Sequence, residues 1–391
     1  MEPENHPTPP EQPSAVYGPE PSLAPGPAAF TPAAQKQHGL TWAFIGPQGL
    51  RAGWSVFLFI LFTAVILIAV GGLVRLLQGH RQHGPVTSLS PFSALIGEAI
   101  GVLAILAAAA LMALIERRRI LDYNLRGPRR FAHFLGGLAA GFVALSALVG
   151  ALAWGGWLHF GPAALSGPKV LGFGAIWALA FLLTGFFEEG SFRCYLLYTF
   201  TRGLNFWWAL GIVAVLCAAT TCLNLLHKIG SGSVWGVYII ALVLLVPCLA
   251  LYFKRVPSSS FWQAAWVTST AFGFLHTGNN GENWIGIFSA AAVGFVFCVS
   301  IWVTGSAWWA IGCHAAWDWA ETFFYGTADS GLVPKGHFLT ATPAGKVFWS
   351  GGTDGPEGSI LILGALALLL LILLVMYWRK KSAAVLVPAV G

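Results

Sequence analysis

From Trp54 to Trp378, long apolar runs alternate with short connectors, and this alternation constrains the fold more than any other feature. The runs lie near 54–77, 91–115, 132–156, 170–201, 206–226, 233–253, 260–277, 284–304, 307–325 and 358–378. Each is close to the ~20 apolar residues that carry a helix across a bilayer. In hydrocarbon every backbone amide and carbonyl must be paired, and a helix does so within its own segment. Composition agrees: 57% of the 391 residues are hydrophobic and 9% are charged, against roughly 25% charged in soluble domains. The expected fold class is all-α: a polytopic helical protein of about ten transmembrane helices, with the lipid bilayer as its first partner.

The formal net charge of +6 is not read as nucleic-acid affinity, because the basic residues cluster beside spans. Arg117, Arg118, Arg119, Arg126, Arg129 and Arg130 share one connector, which the positive-inside rule assigns to the cytoplasm. Alternation then puts Lys254, Arg255, Arg379, Lys380 and Lys381, and both termini, on that same side. Residues 1–50 are different material, with ten prolines from Pro3 to Pro32. They read as a disordered tail rather than a signal peptide. Cys194, Cys217, Cys222, Cys248, Cys298 and Cys313 all fall in apolar stretches without metal spacing, so they read as small buried hydrophobes.

The fourth run holds "GFFEEGSFRCY", Gly185 to Tyr195. An ionisable residue at membrane depth costs at least ~2.5 kcal/mol and marks a functional site by default. Glu189 and Arg193 are four apart, so they share a helix face and can pair. Glu188 lies about 100° around the helix and faces elsewhere. Two later runs add Phe272 with His276, and His314 with Asp318, again four apart. Two histidines, an aspartate and a glutamate pair form a set able to handle a water molecule. Taken alone, these charges fit equally a buried ion pair that glues helices, or a transporter pathway. Arg75 and Glu98, in the first two runs, read as an end-snorkelling residue and a helix contact.

The ordered pattern E-E-x-x-x-R, F-x-x-x-H and H-x-x-x-D resembles the CAAX protease and bacteriocin-processing (CPBP) family of intramembrane endopeptidases. Glu188, Glu189 and Arg193 match its first motif, Phe272 and His276 its second, and His314 and Asp318 its last. There are two departures. Asp318 stands where the family usually has Asn, and the first two motifs are much further apart than usual. The similar starts "FWWALGIVAV" at 206 and "FWQAAWVTST" at 261 suggest an inserted helix pair at about 206–258. His227 competes for the second motif but has Leu223, not Phe, one turn before it. The division expected is a tail at 1–50, N-terminal helices at 51–169, a protease core at 170–330, and an outer loop with a last helix at 331–391.

The resemblance implies a hydrolase acting on a membrane-associated protein or peptide, in a bacterial cytoplasmic membrane. Glu188 would be the general base, with His276 holding the attacking water. His314 and Asp318 would stabilise the oxyanion, while Glu189 and Arg193 hold the fourth helix. No cofactor is expected. The alternatives are a zinc form, with Glu188, His276 and His314 as ligands around an open position, and a membrane protein or transporter that is not an enzyme.

Overall fold

In the computed structural model the described residues are 41–47, 49–78, 88–279, 281–329 and 331–386. The proline-rich stretch therefore lies outside them, apart from Thr41–Phe44, a short helix, and a two-residue hairpin pairing Ile45–Gly46 with Gly49–Leu50.

All ten apolar runs are helical. They are α1 (Ala52–Gln78), α2 (Pro91–Glu116), α3 (Arg130–Trp154), α4 (Pro168–Glu189), α5 (Phe206–Leu225), α6 (Ser231–Phe253), α7 (Ser259–His276), α8 (Trp284–Thr304), α9 (Trp308–Asp318) and α10 (Ile362–Leu386). Two of them continue as π-helix: α4 through Gly190–Leu196 and then α-helical Leu197–Gly203, and α9 through Trp319–Tyr325. Local chemistry sets several ends. Asn205 caps α5 by accepting from the Trp208 amide, Asn283 caps α8 by accepting from Ile285 and Gly286, and a left-handed Gly305 ends α8.

Among the described residues, eight helices are long and apolar enough to cross a membrane. The two that fall short are α7 and α9. Gln263, Thr268, Ser269 and Thr270 dilute α7, and all four are buried in protein rather than lipid. Seven of the eleven residues of "WWAIGCHAAWD" in α9 are apolar but small or aromatic, packed against α3 and α4. The approach of α3 to α9 is close because Gly137 and Gly141 face it. A Cβ there would overlap the carbonyl oxygens of Trp309 and Cys313, so only glycine lets the backbones touch.

The connector between α9 and α10 is not a loose linker. Val333–Pro334 pairs in parallel with Ser88–Leu89, and Ala341–Pro343 pairs antiparallel with Leu158–Phe160. Trp157 stacks on Trp349 at 4.9 Å. Asp354 accepts from the Asn283 amide at 3.0 Å, and Asn283 Nδ2 donates to Gly358 at 3.0 Å. These ties hold residues 350–359 down on the end of α8.

Candidate active site

The first motif sits where α4 changes from α to π geometry. Single π turns are rare in helices and are concentrated at functional sites. Here the wider turn frees the Arg193 carbonyl to accept from Asn124 Nδ2 at 2.8 Å. Arg193 is fully buried, with Nε 3.1 Å from Glu189 Oε2. Its guanidinium lies 4.3 Å from the centroid of Phe272, 5.5 Å from Phe192 and 5.7 Å from Phe297. Three ring faces thus surround a cation that has no water, an arrangement in which cation–π attraction is at its strongest. Gly294 on α8 makes room, since a Cβ there would overlap Arg193 Nη2.

Glu189 also reaches the last motif, its Oε1 accepting from His314 Nδ1 at 2.9 Å. It therefore joins α4 to α9 as well as carrying the expected ion pair. Glu188 faces elsewhere, as the 100° offset requires, and its side chain is 27% exposed. Glu188 Oε2 is 3.7 Å from His314 Nε2, and Asp318 Oδ2 is 3.4 Å from the same nitrogen. The His314 ring is thus ringed by three carboxylates and stacks on Phe297 at 5.8 Å.

His276 closes α7 with Nδ1 2.8 Å from the Phe272 carbonyl and its ring 4.6 Å from the Phe272 ring. A carbonyl only accepts, so Nδ1 carries a proton and Nε2 is left for the cavity. Phe272 therefore does two things: one face covers Arg193, and its carbonyl orients His276.

Glu188, His276, His314 and Asp318 line one cavity of about 70 Å³, together with Phe297, Trp317, Asp329 and Glu357. A water needs roughly 10–15 Å³ of such space, so the cavity has room for water beside all four side chains. His227 is not there. It is exposed at the turn after α5, with φ of 54°.

Among the described residues no group of three or more His, Cys, Asp or Glu is disposed to hold a metal. The Nδ1 atoms of both histidines are directed at Phe272 and Glu189, which leaves Nε2 as the nitrogen each ring presents to the cavity, and Glu188 and Asp318 both approach Nε2 of His314.

Several residues of the cavity and its surroundings escaped the sequence reading. Asp329 and Glu357 line it from the α9–α10 connector. Trp317 Nε1 donates to Glu357 Oε1 at 2.7 Å, and Thr322 Oγ1 donates to Asp329 Oδ2 at 2.7 Å. Burial, and then the Asp329 and Asp354 carboxylates, push Glu357 up to about 8. Burial likewise raises Asp354 to about 7, against the hydrogen bond from the Asn283 backbone. Half-buried Glu98 of α2 lies within electrostatic reach of Glu188 and His314, so it belongs to the site's surroundings rather than to a remote helix contact. Its signal was available as a carboxylate inside an apolar run. The connector acids gave none, since they sit in a Gly- and Thr-rich stretch typical of loops.

The site is thus a polar carboxylate–imidazole cavity in a protein of which eight helices, among the described residues, are long and apolar enough to cross a membrane. Residues 248–320 match the family model of the Rce1-like type II CAAX prenyl endopeptidases. This stretch is thus similar to the Rce1-like type II CAAX prenyl endopeptidases, in agreement with the motif resemblance. The match starts inside α6 and takes in Phe272, His276, His314 and Asp318; Glu188, Glu189 and Arg193 precede it. No curated protein and no solved structure matches the chain.

Proposed function

We propose that this protein is an intramembrane endopeptidase that hydrolyses a peptide bond of a membrane-associated protein or peptide, with no metal. Glu188 takes a proton from water, and the resulting hydroxide adds to the scissile carbonyl carbon. His276 Nε2 holds that water in line. His314, kept in place by Glu189 on one nitrogen, faces the developing oxyanion, and Asp318 positions His314 from the next turn. Glu188 then returns the proton to the leaving amine. Arg193 neutralises Glu189 and leaves Glu188 as the carboxylate that meets water.

One observation carries this reading: residues from α4, α7 and α9, up to 130 positions apart (188 to 318), converge on one cavity with room for several waters. Placing the arginine-rich connector in the cytoplasm puts both termini on the cytoplasmic side of a bacterial cytoplasmic membrane and the α9–α10 connector on the outer face. On that reading α5 and α6 are the inserted pair, adding two crossings without altering topology.

The test is Glu188→Gln, which keeps size and hydrogen bonding and removes the base. Membrane-protein fragments are compared by mass spectrometry in cells lacking the protein, carrying it, or carrying the variant. The variant is expected to insert normally and to leave the same uncut proteins as the deletion. Wild-type fragments from the variant would remove Glu188 from the role of base.

A further inference from the structure

The cavity wall has a charge imbalance that hydrolysis does not require. Glu188, Asp318, Asp329 and Glu357 line it, two histidines face them, and no lysine or arginine is among the lining residues. The nearest guanidinium, Arg193, is shut behind Phe272 and paired with Glu189. Next to this wall Glu321, 1% exposed, feels Glu357, Asp329 and Asp318, yet its Oε1 has no hydrogen-bond partner. Burying so many carboxylates is costly unless a cation or protons offset them.

Geometry tells which kind of cation. The acids do not converge on a point, since among the described residues no three are disposed around a metal position. They are spread over the wall of the cavity, with Asp329 held by Thr322 and Glu357 held by Trp317. Such a wall suits a long side chain with several donors at its tip, its aliphatic stem lying on Trp317 and Phe297. We infer that the cavity binds a lysine or arginine side chain of the substrate beside the scissile bond, with Asp329 and Glu357 as the carboxylates that recognise it. This deepens the endopeptidase reading and rests on it.

Binding is the readout that keeps the two ideas apart. Full-length Glu188→Gln protein in phosphatidylcholine nanodiscs is titrated with fluorescent palmitoylated hexa-alanine peptides in which each position in turn is Lys, Arg, Glu or norleucine. At one or more positions Lys and Arg peptides should bind at least tenfold tighter than norleucine, and Glu weaker. Asp329→Asn and Glu357→Gln should each erase that preference while norleucine binding is kept and a cooperative melting transition remains. Should either variant misfold, excess n-butylguanidinium, but not butyrate, should still displace the Lys peptide from the parent protein. Equal binding of Lys and norleucine peptides, a preference that survives both substitutions, or no binding at all would each overturn the inference. Selective binding with no cleavage by unsubstituted protein would instead sink the endopeptidase reading alone.

Discussion

Helices α1 and α8 are both apolar enough to cross a membrane, yet they live in different solvents. In the most apolar window of α1 only 6% of residues are buried inside the protein, against 67% in α8. Ile68 of α1 is 74% exposed, which in a bilayer means lipid. In α8, Gly294 and Phe297 press on Arg193 and His314. Hydrophobicity alone therefore does not mark contact with lipid: α8 is apolar enough to span a membrane and yet is mostly packed inside the protein. The carriers of His276, His314 and Asp318 are the two helices too short or too polar to cross by themselves, α9 with 11 residues and α7 with its buried polar side chains, whereas α4, which carries Glu188, is long and apolar enough.

The sharpest way to break this contrast is Arg193→Ala. It strands Glu189 in a site without water, and removing one partner of a buried ion pair costs about 3–5 kcal/mol. Folded yield in detergent and melting temperature should both fall steeply. Normal yield would mean that the buried pair does not hold α4 to its neighbours.

Next in size is the comparison of two histidines. His276→Ala removes a positioned ring from the cavity and should lower cleavage at least ~100-fold, the order expected for an acid–base group, with little change in melting. His227→Ala, at an exposed turn, should keep most activity. The opposite pattern would remove His276 from the water site, and with it the idea that α5 and α6 are an insertion.

A smaller effect follows from Glu357, whose folded state favours the protonated form. A carboxyl with a raised folded value costs nothing below its unfolded value, near 4.5, because both states are then protonated. As pH rises through about 8 the folded state must carry the charge, so stability is lost across that window. Melting temperature should therefore decline between pH ~4.5 and 8, and Glu357→Gln should flatten the curve. An unchanged slope in the variant would place the titration elsewhere.

The smallest effect is expected in α1. Ile68→Ala exchanges one lipid-facing apolar side chain for another, and a surface change of this kind stays within about 0.5 kcal/mol. A drop as large as that of Arg193→Ala would show that α1 is covered by protein, which would erase the contrast with α8.

Much of the fold was readable in advance because bilayer thickness converts directly into run length, and all ten runs became helices within a few residues. The pairs Glu189–Arg193 and His314–Asp318 were readable for a similar reason: a helix brings positions four apart together wherever it lies. The π geometry at Gly190 and Trp319 was not, since no local pattern marks it. Nor was the link from Glu189 to His314, which depends on how α4 lies against α9.

Thus the chain alone determined its class, its spans and the charged groups that share a face, because these depend on composition and on periods of a few residues. Only the tertiary structure decided which histidine stands at the cavity. His227 and His276 each end an apolar helix, and the packing of α7 against α8 and α4 separates them. It also decided that Asp329 and Glu357, from a stretch with the composition of a linker, face Glu188. Proximity between distant segments leaves no period in a sequence; it is set by side chains such as Gly294, Phe272 and Asn283 that let helices and connectors close on one another.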